Sequence, residues 1–304
     1  MDAILLVLPV YFFILLGFIA KRVFDEEINE RTIVIISLYF FQPILIFWGL
    51  TKSPIDYAFI ATPIIYLTII LILLFVLFFL SKLIFKERKT QSIYLATALV
   101  GNTGNLGIPL GIALFGVASV PYTSIINIAN IFFIYIFSVY FFAREQFSIK
   151  QAFRSILKIP GIWFAFLALF VNYSEIGINK NLYTALEMGA YTSMVLQLLI
   201  FGIYLSKIKV RTIPWFLSLQ VSFIKHICLP LFGIFIVMYF TDLNPYVSSI
   251  LIMELMVPLA VNNVNMAALY NCRPYDVTAS ILVSSIIFVF LLYPYIQIIE
   301  YFIK

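Results

Sequence analysis

Not one charged residue occurs in the 25 positions from Tyr57 to Ser81, and comparable apolar stretches recur along the chain. A helix rises about 1.5 Å per residue, so about 20 such residues cross the roughly 30 Å hydrocarbon core of a bilayer. On that scale spans are predicted near 3–20, 32–50, 57–81, 91–116 and 121–142. A second set follows near 159–174, 182–205, 217–240, 246–271 and 277–301. A soluble domain of 304 residues that is 63% hydrophobic and 11% charged cannot hide its apolar surface in one core. The expectation is an all-α membrane protein of ten transmembrane helices. The first apolar stretch, Ala3–Ala20, has no basic leader and reads as a retained span rather than a cleaved signal.

The basic residues test that count. Sixteen of the 19 Lys and Arg fall at odd-numbered connections, among them Lys21, Arg22, Lys86, Arg88, Lys89, Lys207 and Arg273, with Lys225 assigned to the same side. Only Lys52, Lys180 and Lys304 fall at even connections or the termini. Because cytoplasmic loops are enriched in Lys and Arg, the odd connections are assigned to the cytoplasm of a cell (inner) membrane and both termini to the outside. The net charge of +5 then sets topology, and no nucleic-acid partner is implied.

Ten spans divide at a basic loop into residues 1–142, a cytoplasmic linker 143–158 and residues 159–304. Five spans per half is an odd number, so two similar halves must enter the membrane from opposite sides, as inverted repeats do. The fourth span of each half is interrupted. In the first half Gly101-Asn102-Thr103-Gly104-Asn105-Leu106-Gly107-Ile108-Pro109 is poor helix material about ten residues into the span. In the second, Pro258-Leu259-Ala260-Val261-Asn262-Asn263-Val264-Asn265 occupies the matching place. One break alone could be a kink. Two at matching positions, each bearing asparagines that lipid would not tolerate, read as one polar-ligand cradle.

Those two segments carry a resemblance. Asn102-Thr103-Gly104-Asn105-Leu106-Gly107-Ile108-Pro109 is similar to the N-x-G-x-x-G-x-P signature of the auxin efflux carrier family, which includes bacterial permeases of the malate type. Pro258-Leu259-Ala260-Val261-Asn262-Asn263 resembles that family's ninth helix, and the likeness extends over nearly the whole ten-span layout. The resemblance implies that broken helices 4 and 9 cross at the substrate site. It also implies a scaffold of helices 1, 2, 6 and 7, as a homodimer, against which helices 3, 4, 5, 8, 9 and 10 move in an elevator-like manner. The short linker here departs from the long cytoplasmic region of plant members and fits a carboxylate permease better than an auxin carrier.

The expected substrate-binding residues are therefore Asn102, Thr103, Gly104, Asn105, Gly107, Pro109, Pro258, Asn262, Asn263 and Asn265. Glu254, four residues before Pro258, and His226 are the ion-coupling candidates, because ionisable groups inside a membrane are costly unless used. For His226 an interfacial anchor is the competing reading, and for Glu254 packing. Glu187, near the start of its span, reads either as a coupling carboxylate or as a side chain reaching the outer interface. Lys82 and Lys225 read as extending to the cytoplasmic headgroups. Gln42-Pro43 and Gln197 read as a kink and an interhelical hydrogen bond, with a place facing the substrate path as the competing reading. Segment Arg144–Lys158 is expected to lie on the anionic inner leaflet.

The glycine run is not followed by Gly-Lys-Ser/Thr, so it is no phosphate loop. Cys228 and Cys272 read as free thiols. No catalytic set or metal-ligand spacing occurs. The expectation is not an enzyme but a secondary carrier for a small organic anion. It needs no cofactor beyond a possible coupling H+ or Na+. The rivals are a sodium-coupled symporter like the bile-acid transporters and a membrane ligand sensor on the same scaffold.

Overall fold

The computed structural model describes residues 2–52, 55–143, 154, 157–207 and 213–303. Among them helix is the regular element, as an apolar chain must satisfy its peptide groups locally when lipid offers no partners. In chain order these are α1 (Asp2–Val23), α2 (Glu30–Leu50), α3 (Tyr57–Ile84), α4 (Arg88–Thr97), α5 (Thr103–Phe115), α6 (Val117–Ala143), α7 (Pro160–Tyr173), α8 (Lys180–Ser206), α9 (Trp215–Phe240), α10 (Pro245–Met256), α11 (Asn262–Leu269) and α12 (Pro274–Ile303). Six described helices, α2, α3, α6, α8, α9 and α12, are long and apolar enough to cross a membrane. Helices α5, α7 and α10 are shorter and apolar. The inner-leaflet segment expected at Arg144–Lys158 lies, except for 154, 157 and 158, outside the described residues.

Short polar side chains set the helix starts. Asn29, Asp56, Asn179 and Asn244 each accept from a backbone N–H of the turn that follows, which satisfies donors that helix geometry leaves free. Prolines set the irregularities. The π turns at Ser37–Phe41, Thr103–Gly107 and Ile224–Cys228 each run directly into a Gln42-Pro43, Ile108-Pro109 or Leu229-Pro230 pair. Proline has no N–H and its ring crowds the carbonyl four residues back, so the preceding turn widens. A fourth π turn, Ile134–Ser138, has no proline behind it.

The described residues form two compact units. The first comprises residues 1–60, 104–125 and 156–207. In it α1 and α8 touch backbone to backbone through glycines. A Cβ on Gly17 would stand 2.1 Å from Leu199 O, and one on Gly202 would stand 1.9 Å from Ile14 O. Small residues at such contacts let helices gain close packing where lipid supplies no hydrophobic drive. Leu45 and Trp48 of α2 bury against Ile108, Val120, Ala190 and Met194. Lys21 bridges Asp25 and Glu30, and Glu30 also pairs with Lys207.

The second unit comprises residues 61–103, 126–155 and 208–304. Helix α12 packs along α9 and α10 there, and Ser218 Oγ lies 3.1 Å from Ser280 Oγ in the buried seam. Gly233 of α9 leaves room for Leu255, whose Cδ1 would be 2.2 Å from an added Cβ. Phe75, Phe79 and Leu83 of α3 are more than half exposed, the pattern of a helix face solvated by lipid.

Two expectations need correction. The breaks are shorter than the glycine- and asparagine-rich segments that announce them. Helix resumes at Thr103 and at Asn262, leaving 98–102 and 257–261 as the non-helical stretches. Helix starts tolerate proline and favour asparagine, so residues that disrupt a helix interior here initiate new helices. Lys225 and His226 do not reach an interface. They are 0% and 2% exposed, because the π turn at Ile224–Cys228 turns both consecutive side chains inward. The charge bias survives without Lys225, since fifteen basic residues remain at odd connections.

Candidate functional site

Helix α10 stops at Met256 because Val257, which precedes Pro258, is extended at φ −56° and ψ 147°. Helix α4 stops at Thr97, three residues before Val100-Gly101. The two non-helical stretches then run past each other. Asn102 N donates to Pro258 O at 2.7 Å, Ala260 N donates to Val100 O at 3.0 Å, and Gly101 and Leu259 form an antiparallel bridge. Each break thus supplies partners for peptide groups freed by the other. Gly101 eases the approach, since a Cβ there would lie 2.8 Å from Lys225 Nζ and 3.0 Å from Val257 Cγ2, and these side chains would have to shift.

Neighbouring helices of the same unit hold the crossing on both sides. From α6, Asn130 Nδ2 donates to Gly101 O at 2.8 Å and to Thr103 Oγ1 at 3.0 Å, while its Oδ1 accepts from Tyr66 OH at 3.1 Å. Thr103 Oγ1 donates to Asn127 Oδ1 at 3.0 Å. On the other side Leu259 N donates to Ser284 Oγ at 3.2 Å. His226 Nε2 lies 2.9 Å from both Ser284 O and Ser284 Oγ. A carbonyl can only accept, so Nε2 carries a proton. The proline at 230 has no N–H to offer the His226 carbonyl, and Tyr295 OH donates to it instead at 2.7 Å.

What remains is a set of buried polar atoms that the protein leaves unpartnered. They are Asn102 Nδ2, Asn127 Nδ2, both side-chain polar atoms of Asn263 and both carboxylate oxygens of Glu254. None of the four residues is more than 4% exposed. Most buried polar groups are hydrogen-bonded, and one left unpaired costs about 1–3 kcal/mol. Six such atoms on segments flanking one crossing are therefore an open hydrogen-bonding site. Lys225 Nζ adds an ammonium that donates to Leu255 O at 3.0 Å.

Of the residues expected to bind substrate, Asn102, Thr103, Pro258, Asn262 and Asn263 lie at the crossing or in the turn leaving it, all in the second unit. Asn262 is half-buried, and Asn265 lies one turn further along α11. Gly104, Asn105, Gly107 and Pro109 belong to the first compact unit, buried except for the half-buried Asn105. Glu187 is half-buried, and Gln197 Nε2 donates to Ser193 Oγ at 2.9 Å. Sequence reasoning passed over Tyr66, Asn127, Asn130, Ser284 and Tyr295. Asn127-x-x-Asn130 carried a usable signal, being two asparagines on one helical face of an apolar span.

At the start of α4 a cavity of about 700 Å³ opens within the second unit, lined among others by Arg88, Lys89, Gln91, Tyr140 and Asn271. Nearby Arg273 pairs with Glu87, which also accepts from Thr90 Oγ1 at 3.0 Å.

Long apolar helices around a buried polar crossing define a multi-pass membrane protein. A family model described as membrane transport protein matches residues 2–296. The chain belongs to that family, the auxin efflux carriers. No curated protein matches it.

Proposed function

We propose that the chain is a secondary active transporter that moves a small organic anion, a carboxylate, across the cell membrane by alternating access. The observation that carries this reading is the set of unpartnered donors beside the crossing: Asn102 Nδ2, Asn127 Nδ2 and Asn263 Nδ2. Amide N–H groups in a dry site donate to carboxylate oxygens, and such charge-assisted hydrogen bonds are roughly twice as strong as neutral ones. The N-terminal end of α11, which begins at Asn262, contributes a partial positive charge worth on the order of 1 kcal/mol toward an anion. Arg88 and Lys89 beside the 700 Å³ cavity raise the local concentration of anions at one end of α4.

Ten spans in two inverted halves, with helices 1, 2, 6 and 7 as a scaffold and the other six carrying the site, remain part of the proposal. Between the coupling candidates Glu254 has the stronger case. Its oxygens are unpartnered, whereas both ring nitrogens of His226 are engaged with Ser284 and Tyr295.

Proteoliposomes carrying the purified protein test this by uptake of labelled mono- and dicarboxylates under imposed pH and sodium gradients. At least one carboxylate is expected to accumulate, and Asn102→Ala and Asn263→Ala are each expected to lower uptake tenfold or more. Full uptake by both variants would remove the site assignment, and no uptake of any carboxylate would remove the substrate class.

A further inference from the structure

The cavity of about 700 Å³ at the start of α4 is polar at one end and apolar at the other. Arg88, Gln91, Ser92 and Leu95 recur at helical spacing, so one face of α4 walls it over about 10 Å. That face runs from a cation in the first turn to Leu95, which is 5% exposed. Lys89 stands beside Arg88 in the same turn, where the helix dipole adds partial positive charge. Phe78 of α3 and Tyr140 of α6 supply more apolar wall, 39% and 52% exposed, on spans whose outer faces meet lipid.

The charge at the polar end is not compensated. Among the described residues no carboxylate lines the cavity. Glu87, next to Arg88 in the chain, is committed to Arg273 and Thr90 Oγ1, and Arg273 also lies 3.7 Å from Asp276. Arg88 and Lys89 share in no ion pair among the described residues. A guanidinium fork matches phosphate oxygens, and an ammonium adds a point charge. A small hydrophilic anion would use the two cations and gain nothing from an apolar wall at hydrocarbon depth. A phospholipid would use both. With no carboxylate in the lining, the ammonium of a zwitterionic headgroup has no partner, which selects an anionic one.

We infer that this cavity is a binding site for an anionic phospholipid. Arg88 and Lys89 hold the phosphodiester, and the glycerol backbone and chains pass along Leu95, Phe78 and Tyr140. The basic bias assigns the connection between α3 and α4 to the cytoplasm, so the lipid comes from the inner leaflet, where basic pockets between spans meet anionic headgroups. A free anion drawn to the start of α4 competes for the same two cations, and the two sources separate by experiment.

The full-length protein, purified in an uncharged detergent and stripped of lipid, is melted by tryptophan fluorescence while phosphatidylglycerol, phosphatidylcholine or glycerol 3-phosphate is titrated. Phosphatidylglycerol is expected to raise the Tm saturably, by roughly 3–5 °C at about ten times its Kd. Phosphatidylcholine and glycerol 3-phosphate are expected to leave it unchanged, the first lacking net charge and the second lacking chains. Arg88→Gln and Lys89→Gln should each weaken the response roughly fivefold in apparent Kd, and together by roughly 25-fold. At the concentration that nearly saturates the parent, the double variant should then shift by less than about 1 °C. Arg31→Gln/Lys86→Gln removes the same charge from exposed positions outside the cavity and should respond as the parent does.

A parent indifferent to phosphatidylglycerol, or equally stabilised by phosphatidylcholine, overturns the inference. So does an equal loss in Arg31→Gln/Lys86→Gln, because the lipid then answers diffuse charge. A shift by glycerol 3-phosphate that matches the lipid and vanishes in the double variant assigns the cavity to free anions instead. Should the double variant fail to fold, the two single variants carry the same test. No readout involves transport, so failure of the carboxylate reading leaves each of them interpretable.

Discussion

Asn130→Ala removes the side chain that ties the crossing to α6. Three hydrogen bonds leave with it: to Gly101 O at 2.8 Å, to Thr103 Oγ1 at 3.0 Å and from Tyr66 OH at 3.1 Å. Interhelical hydrogen bonds in membrane proteins contribute about 0.6 kcal/mol on average and about 1.7 at most, so three of them sum to roughly 2 kcal/mol with a ceiling near 5. At about 2–4 °C per kcal/mol in a domain of this size, the Tm in detergent should fall by roughly 4–8 °C. Tyr66→Phe deletes one bond and should cost roughly 1–3 °C. Because Tyr66 has already lost its acceptor in Asn130→Ala, the double variant should fall short of the sum by about that one bond. Transport should suffer more than stability, since Gly101 adjoins Asn102, the donor proposed to hold substrate, and its carbonyl would be free to rotate. An Asn130→Ala protein that melts within 1 °C of the parent, or a Tyr66→Phe effect that adds in full, would refute the network as the element that fixes the crossing.

Gly202→Ala should separate α1 from α8, because the new methyl would meet backbone at 1.9 Å and rigid backbone cannot yield. A loss of about 3 kcal/mol or a collapse of the monodisperse peak in size-exclusion chromatography is expected, whereas Gly177→Ala, with nothing within 4 Å, should behave as the parent. The bonds that Glu87 accepts from Thr90 and Arg273 hold its carboxyl below the ordinary value of 4.5. A group whose folded pKa is depressed stabilises above its unfolded pKa and loses that contribution as pH falls through the folded value. The Tm of the parent should therefore drop more steeply below about pH 4.5 than that of Glu87→Gln. Parallel curves would show that the Glu87 pair contributes nothing to stability.

How much was legible follows from which residues act locally. Helix positions came through because a run such as Tyr57–Ser81 reports its solvent directly, whatever it packs against. The two breaks were legible as composition, yet their extent was not. Asn102 stays outside the helix while Thr103, one residue later, starts the next one, and the difference is the hydrogen bond from Asn102 N to Pro258 O. Lys225 reads as an interfacial lysine in any one-dimensional view, since its burial depends on a π turn and on a carbonyl 30 residues away. Asn127 and Asn130 could have been noticed by the cost of asparagine in lipid, but their partners, at separations of 24 to 64 residues, could not.

The amino-acid order alone determined that this chain lives in a bilayer, where its helices begin and which two of them break. Those properties depend on local composition measured against a solvent of known thickness. The tertiary structure alone decided that the breaks pair with each other, that a buried lysine donates to the Leu255 carbonyl at their meeting point, and which asparagine donors remain open. These depend on side chains brought together across long loops, where the geometry of closure selects one set of partners from many that the sequence would allow.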